Sequence, residues 1–212
     1  MIITVGGQKG GTGKSTIACQ LAVMRASAGK RLLLVDADEQ QSTKLFSTQR
    51  KLNYPDYVQY SADTHLDDAV RLEIEQKRDL YDDVIVDTGG RDSRSQRSAL
   101  AISDLLIVPF KPRALDLWTI EDILKVIDLM RSVNPTLRVA SVLNQADPYG
   151  SDNIDSQEML RDAEGIEYSE VVIVSRKSFG RAMAQGVSVE EIRPTDHKAV
   201  EEIMALYQFI FN

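Results

Sequence analysis

With 212 residues, 43% of them hydrophobic, the chain can bury one substantial core and not comfortably two. A formal net charge of −7 argues weakly against nucleic acid as a partner, without excluding a local basic patch. The single cysteine excludes an intramolecular disulfide, and no apolar run approaches the roughly 20 residues that a membrane span needs.

The chain opens on the apolar run Ile2-Ile3-Thr4-Val5, with no signal-peptide pattern before it, so a soluble cytoplasmic protein is expected. A glycine-dense stretch follows, Gly6-Gly7-Gln8-Lys9-Gly10-Gly11-Thr12-Gly13-Lys14-Ser15-Thr16. A strand, a glycine loop and a helix opening on Lys-Ser-Thr form the context of a phosphate-binding loop. Glycines let backbone N–H groups turn inward around phosphate oxygens, and the helix N-terminus adds a favourable dipole. Lys14 is then placed to neutralise the β- and γ-phosphates and the Ser15 hydroxyl to ligate Mg²⁺. A glycine-rich turn with solvated lysines would need neither the second lysine nor the strand. The strict template Gly-x-x-x-x-Gly-Lys-Ser/Thr fails at one position, where Gln8 replaces its first glycine.

Ser15 to Ala28 reads as an alanine-rich helix with Gly29 as its C′ residue, and Cys19 falls among its core positions. Arg31 to Asp36 is a strand apolar enough to be covered on both faces, which completes a βαβ unit. A polar helix is expected from Glu39 to Arg50, a short strand from Asp56 to Tyr60, an amphipathic helix from Leu66 to Ile74 and a strand from Asp83 to Asp87. Then come a helix from Ser95 to Ser103, a strand from Leu105 to Pro109, and a helix from Leu115 to Arg131, apolar at helical spacing. Leu137 to Leu143 reads as a strand, Ser151 to Glu164 as a helix stopped by Gly165, Val171 to Val174 as the last strand, and Phe179 to Gln185 and Thr195 to Phe211 as the closing helices. Alternating strands and helices predict an α/β fold: a single-domain parallel sheet over residues 1–212, right-handed crossovers, and helices on both faces.

In such a sheet a ligand lies at the carboxyl ends of the strands, so acidic residues there are candidates for metal and water handling. Asp36, Asp38 and Asp87 qualify; the alternative is that they cap helices or start turns. Asn144, in Val142-Leu143-Asn144-Gln145-Ala146-Asp147, can pair with an adenine edge. Asp147 could instead accept from guanine or start the turn before Pro148. His65 and His197 have no metal-ligand spacing, and Trp118 reads as packing.

Lys9-Gly10-Gly11-Thr12-Gly13-Lys14-Ser15-Thr16 resembles the deviant Walker A motif of the ParA/MinD family of P-loop ATPases, and the resemblance runs close to the full length. It implies ATP and Mg²⁺ as cofactors. Nucleotide binding would fall to Gly10, Gly11, Thr12, Gly13, Lys14, Ser15, Thr16 and Asn144, and Mg²⁺ to Ser15, Asp36 and Asp87. The resemblance gives Lys14 and Asp38 catalytic roles, with Asp38 on the attacking water, and has Lys9 cross a homodimer seam to the partner's nucleotide. Two departures stand out, Asp38-Glu39-Gln40 for the usual Asp-Pro-Gln, and Thr88-Gly89-Gly90-Arg91-Asp92-Ser93 where prolines are common; glycines there permit a backbone switch. The one cysteine argues against the iron–sulfur cluster of the nitrogenase-reductase relatives.

The resemblance is to the compact ParA type, VirC1-like or McdA-like, without an N-terminal helix-turn-helix domain. It implies an ATP-dependent dimer that binds DNA without sequence preference and answers to a ParB-like or McdB-like adaptor, on the nucleoid and not on a membrane. Arg176, Lys177, Arg181 and Lys198 are the candidate DNA contacts; Arg91, Arg94 and Arg97 suit either a solvated helix face or the dimer seam. One rival is a MinD-like membrane ATPase, whose mark is a cationic amphipathic C-terminal helix; here Ala199 to Asn212 holds no lysine or arginine. The other rival is a metabolic ATP-dependent ligase, for which the short loops leave little room.

Overall fold

The computed structural model describes residues 1–112 and 120–212. Seven strands run parallel in one sheet: β1 (Ile2–Val5), β2 (Leu32–Ala37), β3 (Ser61–Thr64), β4 (Asp83–Thr88), β5 (Leu105–Phe110), β6 (Arg138–Ala146) and β7 (Glu167–Val174). Their spatial order is β3-β2-β4-β1-β5-β6-β7. The helices are α1 (Lys14–Ser27), α2 (Ser42–Asn53), α3 (Asp68–Lys77) with a 3₁₀ turn at Arg78–Leu80, α4 (Arg94–Leu100), α5 (Ile120–Arg131), α6 (Asp152–Asp162), α7 (Lys177–Gln185) and α8 (His197–Phe211). The predicted parallel α/β sheet is therefore present.

The central strands are buried at every position because alternate side chains enter different cores. Ile3, Val5, Leu32, Leu34, Leu105 and Ile107 pack on one face with α1, α2, α7 and α8, where Ile17, Leu21, Phe46, Phe179 and Ile203 meet them. On the other face Ile2, Leu33, Val35 and Val84 pack with Val70 and Ile74 of α3, while Leu106 and Val108 pack with Ile123 and Ile127 of α5. Cys19 lies in the first of these cores, as expected. Gly29 ends α1 as predicted: its N–H donates to Ala26 and that of Lys30 to Arg25, which satisfies two terminal carbonyls.

Three expectations are corrected. Asp56 to Tyr60 is not a strand; the third strand is Ser61–Thr64. It is a polar edge strand with one partner, β2, and half-exposed side chains, so no apolar run announces it. The second helix begins at Ser42 and not near Glu39, because Asp38 to Gln41 close a turn in which the Gln41 N–H donates to the Asp38 carbonyl. The last strand starts at Glu167, four residues early; register shifts against β6 and a positive φ at Glu170 break its alternation. The first part of the predicted helix from Leu115, together with Trp118 and Arg113, lies outside the described residues.

Candidate nucleotide site

The glycine loop joins β1 to α1 at the carboxyl edge of the sheet, flanked by β4 on one side and β5 on the other. Its closest constraint is at Gly13, with φ +91°, where a β-carbon would stand 2.2 Å from Asn144 Nδ2. That amide donates to the Thr12 carbonyl at 2.6 Å, and Gln145 Nε2 donates to the Gly11 carbonyl at 3.1 Å. The end of β6 thus ties down the loop's carbonyls, which leaves its N–H groups for an anion.

Lys14 is buried and donates from Nζ to the Lys9 carbonyl at 2.9 Å. Burial pulls its pKa below the ordinary lysine value, against the attraction of Asp87 and Asp38. Asp87, at the end of β4, is fully buried, and among the described residues neither of its carboxylate oxygens has a hydrogen-bond partner. Loss of water pushes it up to about 8; the Ser15 hydroxyl opposes that, Asp36 adds to it, Lys14 opposes and Asp38 adds. A buried carboxylate with two orphaned oxygens beside a serine hydroxyl is a donor set that suits a hard cation such as Mg²⁺. Among the described residues no group of three or more His, Cys, Asp or Glu side chains gathers as a self-sufficient metal cage. Mg²⁺ needs none, since it is bound through one or two carboxylates with phosphates and water.

The other carboxylates sit differently. Asp36 is buried, and its oxygens accept from the N–H groups of Asp38 at 3.1 Å and Lys44 at 2.8 Å. Lys44 is the third residue of α2, so Asp36 caps that helix from the preceding strand and shapes the turn that carries Asp38. Asp38 is half-buried, accepts from the Gln40 N–H at 3.2 Å, and lies against Gly89. Asp147 accepts from the Tyr149 N–H at 3.0 Å, a turn-starting bond, and is not among the residues that line the adjoining cavity. That cavity, about 200 Å³, is bounded by Gly13, Thr16, Asn144, Val174, Arg176 and Phe179, and it adjoins the phosphate loop at Gly13.

Arg176 is half-buried, its guanidinium is forked onto Glu202 at 2.6 and 3.1 Å, and it walls this cavity. Lys177, Arg181 and Lys198 are exposed, as is Arg193, which the sequence did not single out. Arg94 pairs with Asp68 and Arg97 with Asp92, all four residues exposed. His65 lies 3.7 Å from Asp63, and His197 opens α8 on the surface.

Two residues of the site make contacts that the sequence did not announce. Gln96, fully buried on α4, accepts on Oε1 from the Gly7 N–H and the Thr88 hydroxyl, each at 3.3 Å. Gln8, the residue that departs from the strict template, accepts on its side-chain carbonyl from the Asp92 N–H at 3.1 Å. Both bind the phosphate loop to the segment after β4, and neither has a spacing that would announce it.

The pattern that describes the CobQ/CobB/MinD/ParA nucleotide binding domain matches residues 3–189. The chain belongs to this family. Members of the ParA/MinD family are ATPases. The protein is 28% identical over 202 residues to Maintenance of carboxysome distribution protein A of Halothiobacillus neapolitanus, with 95% of this chain and 92% of the relative covered. In fold it is similar to a plasmid partition protein of Borrelia burgdorferi B31 bound to AMPPNP (TM-score 0.71, 18% identity, 99% and 97% of the two chains). It is similar as well to the septum site-determining protein MinD of Pyrococcus horikoshii OT3 complexed with Mg-ADP (TM-score 0.76, 18% identity, 100% and 96% covered). In this chain the glycine loop follows β1, the central strand of the parallel sheet.

Proposed function

We propose that this ParA/MinD-family protein is a DNA-associated positioning ATPase that works as an ATP-dependent homodimer and is stimulated by a ParB-like or McdB-like adaptor. The observation that carries the nucleotide reading is the pair of buried ionisable groups beside the loop, Lys14 and Asp87. Among the described residues Lys14 donates to one backbone carbonyl and both Asp87 oxygens lack a hydrogen-bond partner, so each gains a partner when a phosphate chain with its cation arrives.

In this reading the backbone from Gly10 to Thr16 cradles the phosphates and Lys14 bridges the β- and γ-oxygens. Ser15 and Asp87 would hold Mg²⁺, which when bound supplies charge neutralisation on the terminal phosphate. Asp36 supports that set by fixing the turn, and Asp38, at the mouth beside Gly89, orients the attacking water. Lys9 reaches the partner's nucleotide. Asn144 donates to the Thr12 carbonyl and keeps its own side-chain oxygen as an acceptor for an adenine amino group. The turn bond held by Asp147 supports adenine over guanine.

Lys177, Arg181 and Lys198, with Arg193 added, form the DNA-facing set. The membrane rival finds no support in the C-terminal helix, whose Ala199, Ile203, Leu206 and Ile210 are buried against the sheet. No helix among the described residues is long and apolar enough to cross a membrane. The relation to the carboxysome-distribution protein favours a protein organelle as cargo. The experiment is retention of duplex DNA and of anionic vesicles by the protein with ATP, with ADP and without nucleotide, beside Lys14→Ala. ATP-dependent retention of DNA, lost in Lys14→Ala, is expected; equal retention in all three states, or retention on vesicles alone, overturns the reading.

A further inference from the structure

β5 follows the phosphate loop along its outer side. The Gly6 N–H donates to the Ile107 carbonyl at 3.0 Å, and a β-carbon on Gly7 would meet Val108 Cγ1 at 3.5 Å. The same course continues to Lys111, whose Nζ stands 3.8 Å from where a β-carbon on Gly11 would be. Lys111 is half-buried and has no carboxylate partner among the described residues, whereas Lys77, Lys125, Arg94 and Arg97 are all ion-paired. Three adjacent strands therefore bring different groups to one loop. β4 brings the Asp87 carboxylate to one side, β1 leads into the loop itself, and β5 brings an ammonium to the other side.

Position along the loop decides what that ammonium can meet. Lys14 stands where the helix begins, and the loop runs away from the helix through Gly13 and Thr12 to Gly11 and Gly10. A phosphate chain anchored at the helix N-terminus extends toward Gly11 with its terminal group, so the group nearest Lys111 is the one that distinguishes a triphosphate from a diphosphate. We propose that Lys111 is a third lysine of the phosphate site and that it reads the terminal phosphate of a nucleoside triphosphate. This rests on the nucleotide reading above and adds to it the residue that makes the two nucleotide states differ in affinity. An ammonium on a long stem can swing onto a phosphate oxygen and make a charge-assisted bond, which is stronger than a neutral one.

The test is calorimetric or fluorescence titration of AMPPNP and of ADP, each with Mg²⁺, at protein concentrations where light scattering detects only monomer. In Lys111→Gln, AMPPNP affinity should fall about tenfold, about 1.4 kcal/mol, while ADP affinity stays within about twofold of the unsubstituted protein. Lys111→Arg should keep AMPPNP affinity within about threefold. Equal losses for both nucleotides, or unchanged affinity for both, overturn the proposal. Failure of the unsubstituted protein to bind either nucleotide would instead overturn the nucleotide reading, which separates the two. Should Lys111→Gln unfold, the arginine variant still decides: an ATP-to-ADP preference that collapses despite the retained charge and unchanged thermal stability sinks the idea.

Discussion

Gly90 rests directly on Gly10: a β-carbon at position 90 would stand 2.4 Å from the Gly10 nitrogen and 2.6 Å from its Cα. The segment after Asp87 is thereby in backbone contact with the phosphate loop, so a change at one must be felt at the other. Gly90→Ala cannot be accommodated without moving the loop and should lower nucleotide affinity at least tenfold. Gly89→Ala, whose β-carbon would meet Asp38 at 3.4 Å, has room to adjust and should lower affinity less than threefold. Titration of both variants with AMPPNP checks this, and equal effects would contradict the contact as the cause.

Asp87 gives the metal-free protein a pH dependence of definite sign. Its pKa stands near 8 in the fold against the ordinary 3.8, so between pH 4 and 8 the folded state holds a proton that the unfolded chain releases. Stability should then fall as pH rises through that window and level off above it. Asp87→Asn, which buries no charge, should flatten the profile and exceed the unsubstituted protein by a few kcal/mol, to order of magnitude, near pH 8.5. Urea unfolding in EDTA at pH 5 and pH 8.5 measures it. A variant less stable at pH 8.5 would show that the carboxylate is better satisfied than it stands here.

Arg50 and Glu191 join the helix that follows Asp38 to the segment between α7 and α8. Arg50, 1% exposed, donates to both Glu191 oxygens at 2.8 and 2.9 Å and to the carbonyls of Val58 and Gly186. Glu191 accepts as well from the Ser188 N–H. Removing one member of such a pair strands the other, so Arg50→Ala should cost about 3 kcal/mol or more. For a chain of this length that is about 6–12 °C in Tm. Glu191→Gln, which keeps the shape and part of the hydrogen bonding, should cost less. Thermal melts of the two variants and their double mutant give the coupling, and additive losses would mean that the pair is not a unit.

Much of this architecture was legible before any coordinates, for reasons that particular residues make clear. Leu32 to Val35 and Leu105 to Phe110 are apolar at successive positions, as a strand buried on both faces requires. Gly10 to Thr16 packs glycines and a Lys-Ser pair at a spacing few other sites would need. What could not be read lies where tertiary contacts override local pattern. Ser61–Thr64 forms a strand only because β2 offers an edge, and Arg176 turns inward only because Glu202 of α8 meets it. Gln96 and Gln8 look like ordinary polar residues until the fold brings Gly7 and Asp92 to them.

Asp38 and Lys9 should separate the two halves of the ATPase cycle. Asp38 is half-buried, and among the described residues its carboxylate accepts one hydrogen bond, from the Gln40 N–H of its own turn, so losing that carboxylate leaves the nucleotide groups in place. Asp38→Ala is expected to bind ATP, dimerise and fail to hydrolyse, whereas Lys9→Ala should bind ATP as a monomer and lose dimerisation or hydrolysis. Light scattering with ATP, followed by phosphate release, distinguishes them. Identical behaviour of the two variants would show that Lys9 does not act across a seam.

The output surface gives the last prediction. The Ser178 hydroxyl donates to Asp196 at 2.8 Å, and Asp196 also accepts from the Ala199 N–H, so the first turns of α7 and α8 are held together. Lys177 therefore opens α7 beside Lys198 in the first turn of α8, with Arg181 one turn along α7 and Arg193 just before α8; Arg181 donates to the Arg193 carbonyl at 3.0 Å. Arg176 is withheld from this set by Glu202. Four exposed cations on a chain of net charge −7 give a monomer little affinity for DNA, because affinity comes from neutralising several phosphates at once. A dimer doubles the set. If about six phosphates are neutralised, log K against log salt should slope by roughly −5 on duplex DNA, and only with ATP. A Lys177→Ala, Arg181→Ala, Lys198→Ala variant that still dimerises should bind at least tenfold more weakly with a shallower slope, while Arg176→Ala should instead lower thermal stability and nucleotide affinity by opening the cavity wall. An unchanged slope in the triple variant would move the DNA surface to Arg91, which is exposed beside Gly90 with no ion-pair partner among the described residues.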